Sequence, residues 1–436
     1  MRIAAPTCNG SRRSVSGLRA TFTTACLVLG LMGAASLALA AEPPLAVNSI
    51  QTPAILLAER TPLVADVVHY RWDVAFGPDE FDRMQVHRVL REKRPHRPIR
   101  TLDAVLLIPG IPENFEIVFM PRSVSDVPDW DRSFAVYLAR HDFDVWGVTF
   151  GWALVPPDAS DFSLLEGWGI EKDARQTEIA LVMARVIRTL TGQGPGPLHL
   201  LGFSYGVFVD YAVAGAESQW PRGLRNVKGM ITVDCPVNLP EGHPLRVDTC
   251  ENLLPLDLWM LEERIWQQDT TFVADMGERA LAAPAEESPY FPPLTNYDAA
   301  LYLGTAIGFV AGTFEPPYDL TYVEPRLWID HLRAFLPWAP TQAWYDMDAA
   351  WCGDPAYDPP FDDHIADITL PILYVGSEGG YGDSGFYTQE LTASDDLSRF
   401  VVSGSEGGLA HVDLFLAEQA PAWVWQPIVD WLIAHR

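Results

Sequence analysis

A chain of 436 residues is longer than one compact core usually needs, so the length points to a core domain carrying a large insertion or a second domain. With 48% hydrophobic and 20% charged residues, the composition excludes a disordered chain. Acidic residues outnumber basic ones 57 to 30, a formal net charge of −27, which argues against nucleic acid and anionic membrane surfaces as partners.

Arg2, Arg12, Arg13 and Arg19 precede an apolar run from Ala20 to about Ala40, which ends in the small-x-small sequence Ala38-Leu39-Ala40. A basic stretch, an apolar stretch and a small-residue site together form the pattern of a secretory signal peptide. Residues 1–41 are therefore expected to be removed near Ala40 and the mature chain to be periplasmic or secreted. Most of the apolar run follows Cys26 rather than preceding it, which speaks against a lipoprotein. Cleavage takes away four arginines and no acidic residue, so the mature chain is more acidic still. No later segment is apolar for long enough to cross a bilayer, so no membrane span is expected after cleavage.

Residues 42–62 have no clear period and read as a leader into the fold. Strands are expected over 67–76 and 83–91, separated by Gly77-Pro78-Asp79. Residues 104–108 are wholly apolar and stop at Pro109-Gly110, as a strand buried on both faces does. Helices are expected over 132–140 and 172–191, and strands over 144–148 and 198–201. A further helix begins at 207–215, and 229–233 is again a strand. Short apolar strands alternating with helices predict an α/β, doubly wound, mostly parallel sheet.

That rhythm breaks after Cys235. The next stretch is rich in Pro and aromatics, with Trp259, Trp266, Trp328, Trp338, Trp344 and Trp351 and a helical patch over 256–268. Strands resume at 370–375 and 400–402, and an amphipathic helix over 423–434 closes the chain. The simplest division is a core in two parts, 42–235 and 368–436, interrupted by a largely helical insertion over 236–367. Cys235, Cys250 and Cys352 remain after cleavage, an odd number that leaves one thiol over. The short loop makes Cys235–Cys250 the expected bridge, with pairings to Cys352 as alternatives. No C-x-x-C or H-E-x-x-H pattern occurs, so no metal site is expected.

Gly202-Phe203-Ser204-Tyr205-Gly206 is a G-x-S-x-G pattern between an expected strand and an expected helix. In such a turn the serine hydroxyl projects from the top of the sheet, and bulk at either glycine would clash as strand and helix close. A serine hydroxyl needs a base within hydrogen-bond reach. In this arrangement the base follows the last strand, and His411 alone fits, after the loop Gly404-Ser405-Glu406-Gly407-Gly408. A carboxylate should orient the imidazole. Asp383 is the preferred one, brought back by the Gly-rich loop after 370–375; Glu378 in the same loop and Asp234 after the strand 229–233 stay open.

The order Ser204, acid, His411, with G-x-S-x-G and a Pro-Gly turn after an early buried strand, resembles the α/β-hydrolase superfamily, lipase- and esterase-like members in particular. The resemblance covers about residues 100–235 and 365–436. It implies an oxyanion hole from the backbone N–H groups of Tyr205 and of Ile111, since Pro112 has no N–H to give. It also implies an acyl-enzyme mechanism without a cofactor, acting on a small-molecule or lipid-like ester beneath a cap. Acyl transfer and peptide cleavage use the same groups. A non-catalytic binding protein on a hydrolase scaffold is the reading from another class.

Overall fold

The computed structural model describes residues 53–404 and 408–436; the expected signal peptide lies outside them. The strands in chain order are β1 (Ala54–Val64), β2 (Val67–Ala75), β3 (Arg83–Arg94), β4 (Arg97–Pro98), β5 (Asp103–Ile108), β6 (Phe143–Thr149), β7 (Leu198–Phe203), β8 (Val227–Val233), β9 (Gln267–Asp269), β10 (Trp338–Pro340), β11 (Ile372–Ser377) and β12 (Leu397–Val402). Nine of them form one sheet in the order β1-β2-β3-β6-β5-β7-β8-β11-β12, with β4 folded back on β3. The pairs from β1 to β6 along this order are antiparallel, and every pair from β6 to β12 is parallel. This mixed, mostly parallel sheet agrees with the expected class.

Side-chain alternation along the buried strands builds a core on each face. Val105 and Leu107 of β5 and Leu201 and Phe203 of β7 face one core. Ala104, Leu106 and Ile108, with Leu198 and Leu200, face the other. The first core is covered by α1 (Phe115–Phe119) and α2 (Phe134–Arg140), the second by α3 (Ile170–Leu190) and α4 (Tyr205–Ser218).

Between β8 and β11 the chain forms α5 (Pro244–Asp248), α6 (Leu254–Glu262), α7 (Thr271–Ala282), α8 (Asn296–Ala306), α9 (Pro325–Ala334), α10 (Thr341–Cys352) and the small β9–β10 pair. After β11 come α11 (Gly385–Glu390), α12 (Asp413–Leu416) and α13 (Gln426–Ala434). Apart from a small cluster of Leu254, Ala349 and Cys352, the buried residues of the inserted helices join the cores of the sheet. Met276, Leu301 and Trp328 join the first core, and Met347 and Trp351 join the second. No helix among the described residues is long and apolar enough to cross a membrane.

Two expectations change. Part of the presumed leader is the edge strand β1, whose Ile55, Leu56 and Leu57 are exposed. With neither face of that stretch buried, the sequence had no reason to alternate, and Pro62 lies in the strand as edges allow. The disulfide joins Cys250 to Cys352, not Cys235, which is a buried free thiol. Cys235 points into the core beside β8, whereas Cys250 and the end of α10 meet across the inserted helices.

A crosslink spanning 102 residues removes loop entropy from the unfolded chain, about 4–5 kcal/mol in the chain-entropy picture. Peptide mapping without reductant should recover Cys250 linked to Cys352. Cys235 should react with iodoacetamide only after denaturation, and the paired variant Cys250→Ser/Cys352→Ser should melt at a lower temperature than Cys235→Ala.

Candidate active site

Sheet register sets the site. Ile108 of β5 stands beside Gly202 of β7, Phe203 beside Val233 of β8, and Val233 beside Val375 of β11. The carboxyl ends of four neighbouring strands are thus nearly level, and the loops leaving them start side by side. Open α/β sheets bind ligands at this edge.

Ser204 occupies the turn between β7 and α4 at φ 54° and ψ −120°. A non-glycine residue at such a φ is strained, typically by about 1–3 kcal/mol. The turn is held by Ser204 N–H donating to Val233 C=O (3.1 Å) and by Val207 N–H donating to Ser204 C=O (2.9 Å). Both flanking glycines are required by close approach. A Cβ on Gly202 would run into the Gly206 carbonyl, and one on Gly206 into the carbonyl of Ile108. Ser204 remains partly exposed while its neighbours are buried.

Asp234, the residue after β8, is fully buried and lies at φ 50°. Its Oδ1 accepts from the N–H of Ser377 (2.7 Å) and of Tyr381 (3.2 Å). Its Oδ2 accepts from Ser377 Oγ (2.6 Å) and lies 2.8 Å from His411 Nδ1. A buried carboxylate needs this degree of satisfaction. The glycines after β11 permit it, because a Cβ on Gly380 would collide with Asp234 and Ser377. The carboxylate that meets His411 is therefore Asp234. The preferred Asp383 and the alternative Glu378 are both exposed on the same loop, and neither is hydrogen-bonded to His411 among the described residues. The loop turns its peptide N–H groups, not its acids, toward the imidazole's partner. Ser377-Glu378-Gly379-Gly380 carries the clue in hindsight: a small hydroxyl followed by glycines suits a cradle for a carboxylate arriving from elsewhere.

His411 is 5% exposed. Its ring stacks on Phe203 at 4.5 Å between centroids and touches Tyr381 (5.4 Å) and Phe309 (5.8 Å). With Nδ1 on Asp234, Nε2 is left for a second partner. Among the described residues no hydrogen bond joins Nε2 to Ser204 Oγ, and Phe203, the residue before Ser204, stacks on the imidazole.

Tyr205 opens α4, so its N–H is one of the helix's unsatisfied first donors. Its hydroxyl donates to Asp173 (2.8 Å), a fully buried carboxylate that also accepts from the indoles of Trp152 (3.0 Å) and Trp168 (2.9 Å). Ile111 lies in the loop after β5, and that loop passes close to the serine. A Cβ on Gly110 would stand 3.1 Å from Ser204 Cβ and 3.1 Å from Glu113 Oε2. Glu113 is itself buried, with Oε1 2.8 Å from Nε2 of His331 on α9. Asp173, Glu113 and His331 carried no sequence signal beyond residue type.

Two other features lie apart from this cluster. A cavity of about 380 Å³ opens along the Cys250–Cys352 disulfide beside Arg246, Leu254 and Tyr357, and shares no residue with the Ser204 site. His69, His87 and Glu116 bring three potential metal donors within 4.8 Å of one another. His69 Nε2 and His87 Nδ1 are already hydrogen-bonded together at 3.0 Å, and Arg71 stands 3.9 Å from Glu116. That arrangement satisfies the imidazoles and repels a cation.

No protein-family model and no curated protein matches the chain. Solved structures do. A protein from Sulfolobus solfataricus provisionally assigned as a lipase is similar over 87% of this chain and 100% of its own, with a TM-score of 0.62 at 20% identity. A soluble variant of monoglyceride lipase from Saccharomyces cerevisiae is 12% identical over 91% of this chain and 99% of its own, TM-score 0.44. A thermophilic esterase from Thermogutta terrifontis is 13% identical over 84% and 98%, TM-score 0.41.

Burial pushes Asp173, Glu178 and Asp413 up to about 7 and Asp346 up to about 6. For a carboxylate raised in the folded state, the folded protein holds a proton that the unfolded chain has released, so stability falls as pH rises between about 4 and about 7. The melting temperature should accordingly be higher near pH 5 than near pH 8. The difference should shrink in Asp173→Asn, measured by calorimetry at the two pH values.

Proposed function

The chain has the α/β-hydrolase fold, and on that premise we propose that it is an exported serine hydrolase that cleaves carboxylic esters. The observation that carries the reading is the placement of a strained, partly exposed Ser204 at the strand-to-helix turn, level with a buried Asp234–His411 pair. In this reading His411 Nε2 takes the proton of Ser204 as Oγ attacks the carbonyl carbon. Asp234 holds the ring through Nδ1 and stabilises the imidazolium that forms. The N–H groups of Tyr205 and Ile111 receive the oxyanion. His411 then returns the proton to the leaving alcohol, and water repeats the sequence on the acyl-enzyme. The direct hydrogen bond from Ser204 to His411 forms as substrate binds, as catalytic hydrogen bonds often tighten only in the complex.

The inserted helices act as a cap over the site, and an apolar or lipid-like acyl group suits the aromatic surroundings of Phe203, Phe309 and Tyr381. Export is supported by the leader sequence and by the Cys250–Cys352 bridge, which needs an oxidising compartment.

A fluorophosphonate probe should label the wild-type protein at Ser204, and Ser204→Ala should abolish both labelling and hydrolysis of p-nitrophenyl esters. Asp234→Asn should lower kcat by about 10³- to 10⁴-fold through loss of the imidazole's orientation, whereas Asp383→Asn should leave it within about twofold. Full esterase activity in Ser204→Ala, or equal losses in the two aspartate variants, would overturn the assignment.

A further inference from the structure

The loop carrying His411 is not held by the sheet alone. His411 N–H donates to Gly308 C=O (3.1 Å) and Val412 N–H to Phe309 C=O (2.7 Å), both in the inserted segment just after α8. One residue further on, the fully buried Asp413 closes the junction. Its Oδ2 accepts from the N–H of Ala410 (2.8 Å), on the near side of His411, and from the N–H of Ala311 (2.9 Å), in the insert. A single oxygen thus fixes the peptide before the imidazole to a peptide of the insert. Phe309, two residues before Ala311, places its ring beside the imidazole, 5.8 Å between centroids. Burying an unpaired carboxylate would be costly, so the two peptides are held wherever this oxygen is. Asp413 touches neither Ser204 nor Asp234 among the described residues, and its Oδ1 has no partner there.

We propose that Asp413 is a positioning residue for His411, which locks the imidazole's loop to residues 308–311 of the insert and so makes the insert part of the catalytic scaffold. The inference rests on the serine-hydrolase reading above. A reacting group misplaced by about 1 Å can cost about a hundredfold in rate, and the loss falls on the chemical step rather than on substrate binding.

Three variants test it, each assayed for kcat and KM on a p-nitrophenyl ester, for the rate of fluorophosphonate labelling, and for melting temperature. Asp413→Ala removes the acceptor and should lower kcat and labelling rate together by about 10- to 100-fold, with KM within about twofold. Asp413→Glu keeps the charge but displaces the oxygen by a methylene, and should lose kcat similarly. Asp413→Asn keeps an oxygen for both N–H groups while burying an unpaired NH₂ where Oδ1 now stands. It should melt lower than wild type yet retain kcat within about threefold. A merely structural role would make kcat follow the melting temperature, whereas positioning makes it follow the acceptor.

If Asp413→Ala does not fold, the Asn and Glu variants still decide. An asparagine variant as impaired as the glutamate one overturns the proposal. A folded alanine variant labelled at the wild-type rate overturns this inference alone. A wild-type protein that is not labelled at all overturns the hydrolase reading and this inference with it.

Discussion

The complete burial of Asp234 is the constraint from which the rest of the site follows. A carboxylate without solvent has to be surrounded by donors, and here they come from three directions: two peptide N–H groups, a hydroxyl and an imidazole. Meeting that demand decides how the loop after β11 folds, why Gly380 has no side chain and where the ring of His411 lies. Sheet register then does the remaining work, because Ser204 and Asp234 each follow the last paired residue of β7 and β8, and Ser377 is the last residue of the neighbouring β11. A shift by one residue in either β7–β8 or β8–β11 would turn these groups to the opposite face.

The central sheet was legible because burial on both faces writes itself as short, unbroken apolar runs, such as Ala104–Ile108 within β5. The serine turn was legible for a related reason: close approach of two backbones leaves glycine on both sides of Ser204. His411 followed from chain order. Its acid could not be read in the same way. Asp234, Glu378 and Asp383 each follow a strand, and what separates them is the direction of peptide N–H groups in one loop, which no periodicity records. The edge strand β1 was missed because its first residues, Ile55–Leu57 among them, are exposed on both faces, and the disulfide because Cys250 and Cys352 meet through helix packing.

Both sides of the serine are tied to the inserted helices. The loop after β5 receives Leu336 N–H at Pro112 C=O (3.1 Å) and presents Glu113 to His331 of α9. The loop of His411 is bonded to residues 308–311. Most apolar residues of these helices merge with the two cores of the sheet, and only a small cluster around Leu254, Ala349 and Cys352 stands apart. A lid that swings freely would need the opposite arrangement: few bonds to the core and an interior of its own.

The insert leaves the sheet at β8 and returns at β11, and those two strands are direct neighbours. A segment with adjacent anchor points can change length or be exchanged without disturbing the strands between which it hangs, which makes such a position hospitable to evolutionary variation. Residues 308–311 set a limit on that freedom. A transplanted insert would have to bring its own seat for the imidazole, so the diversity open to this part of the chain is that of the surfaces facing away from His411.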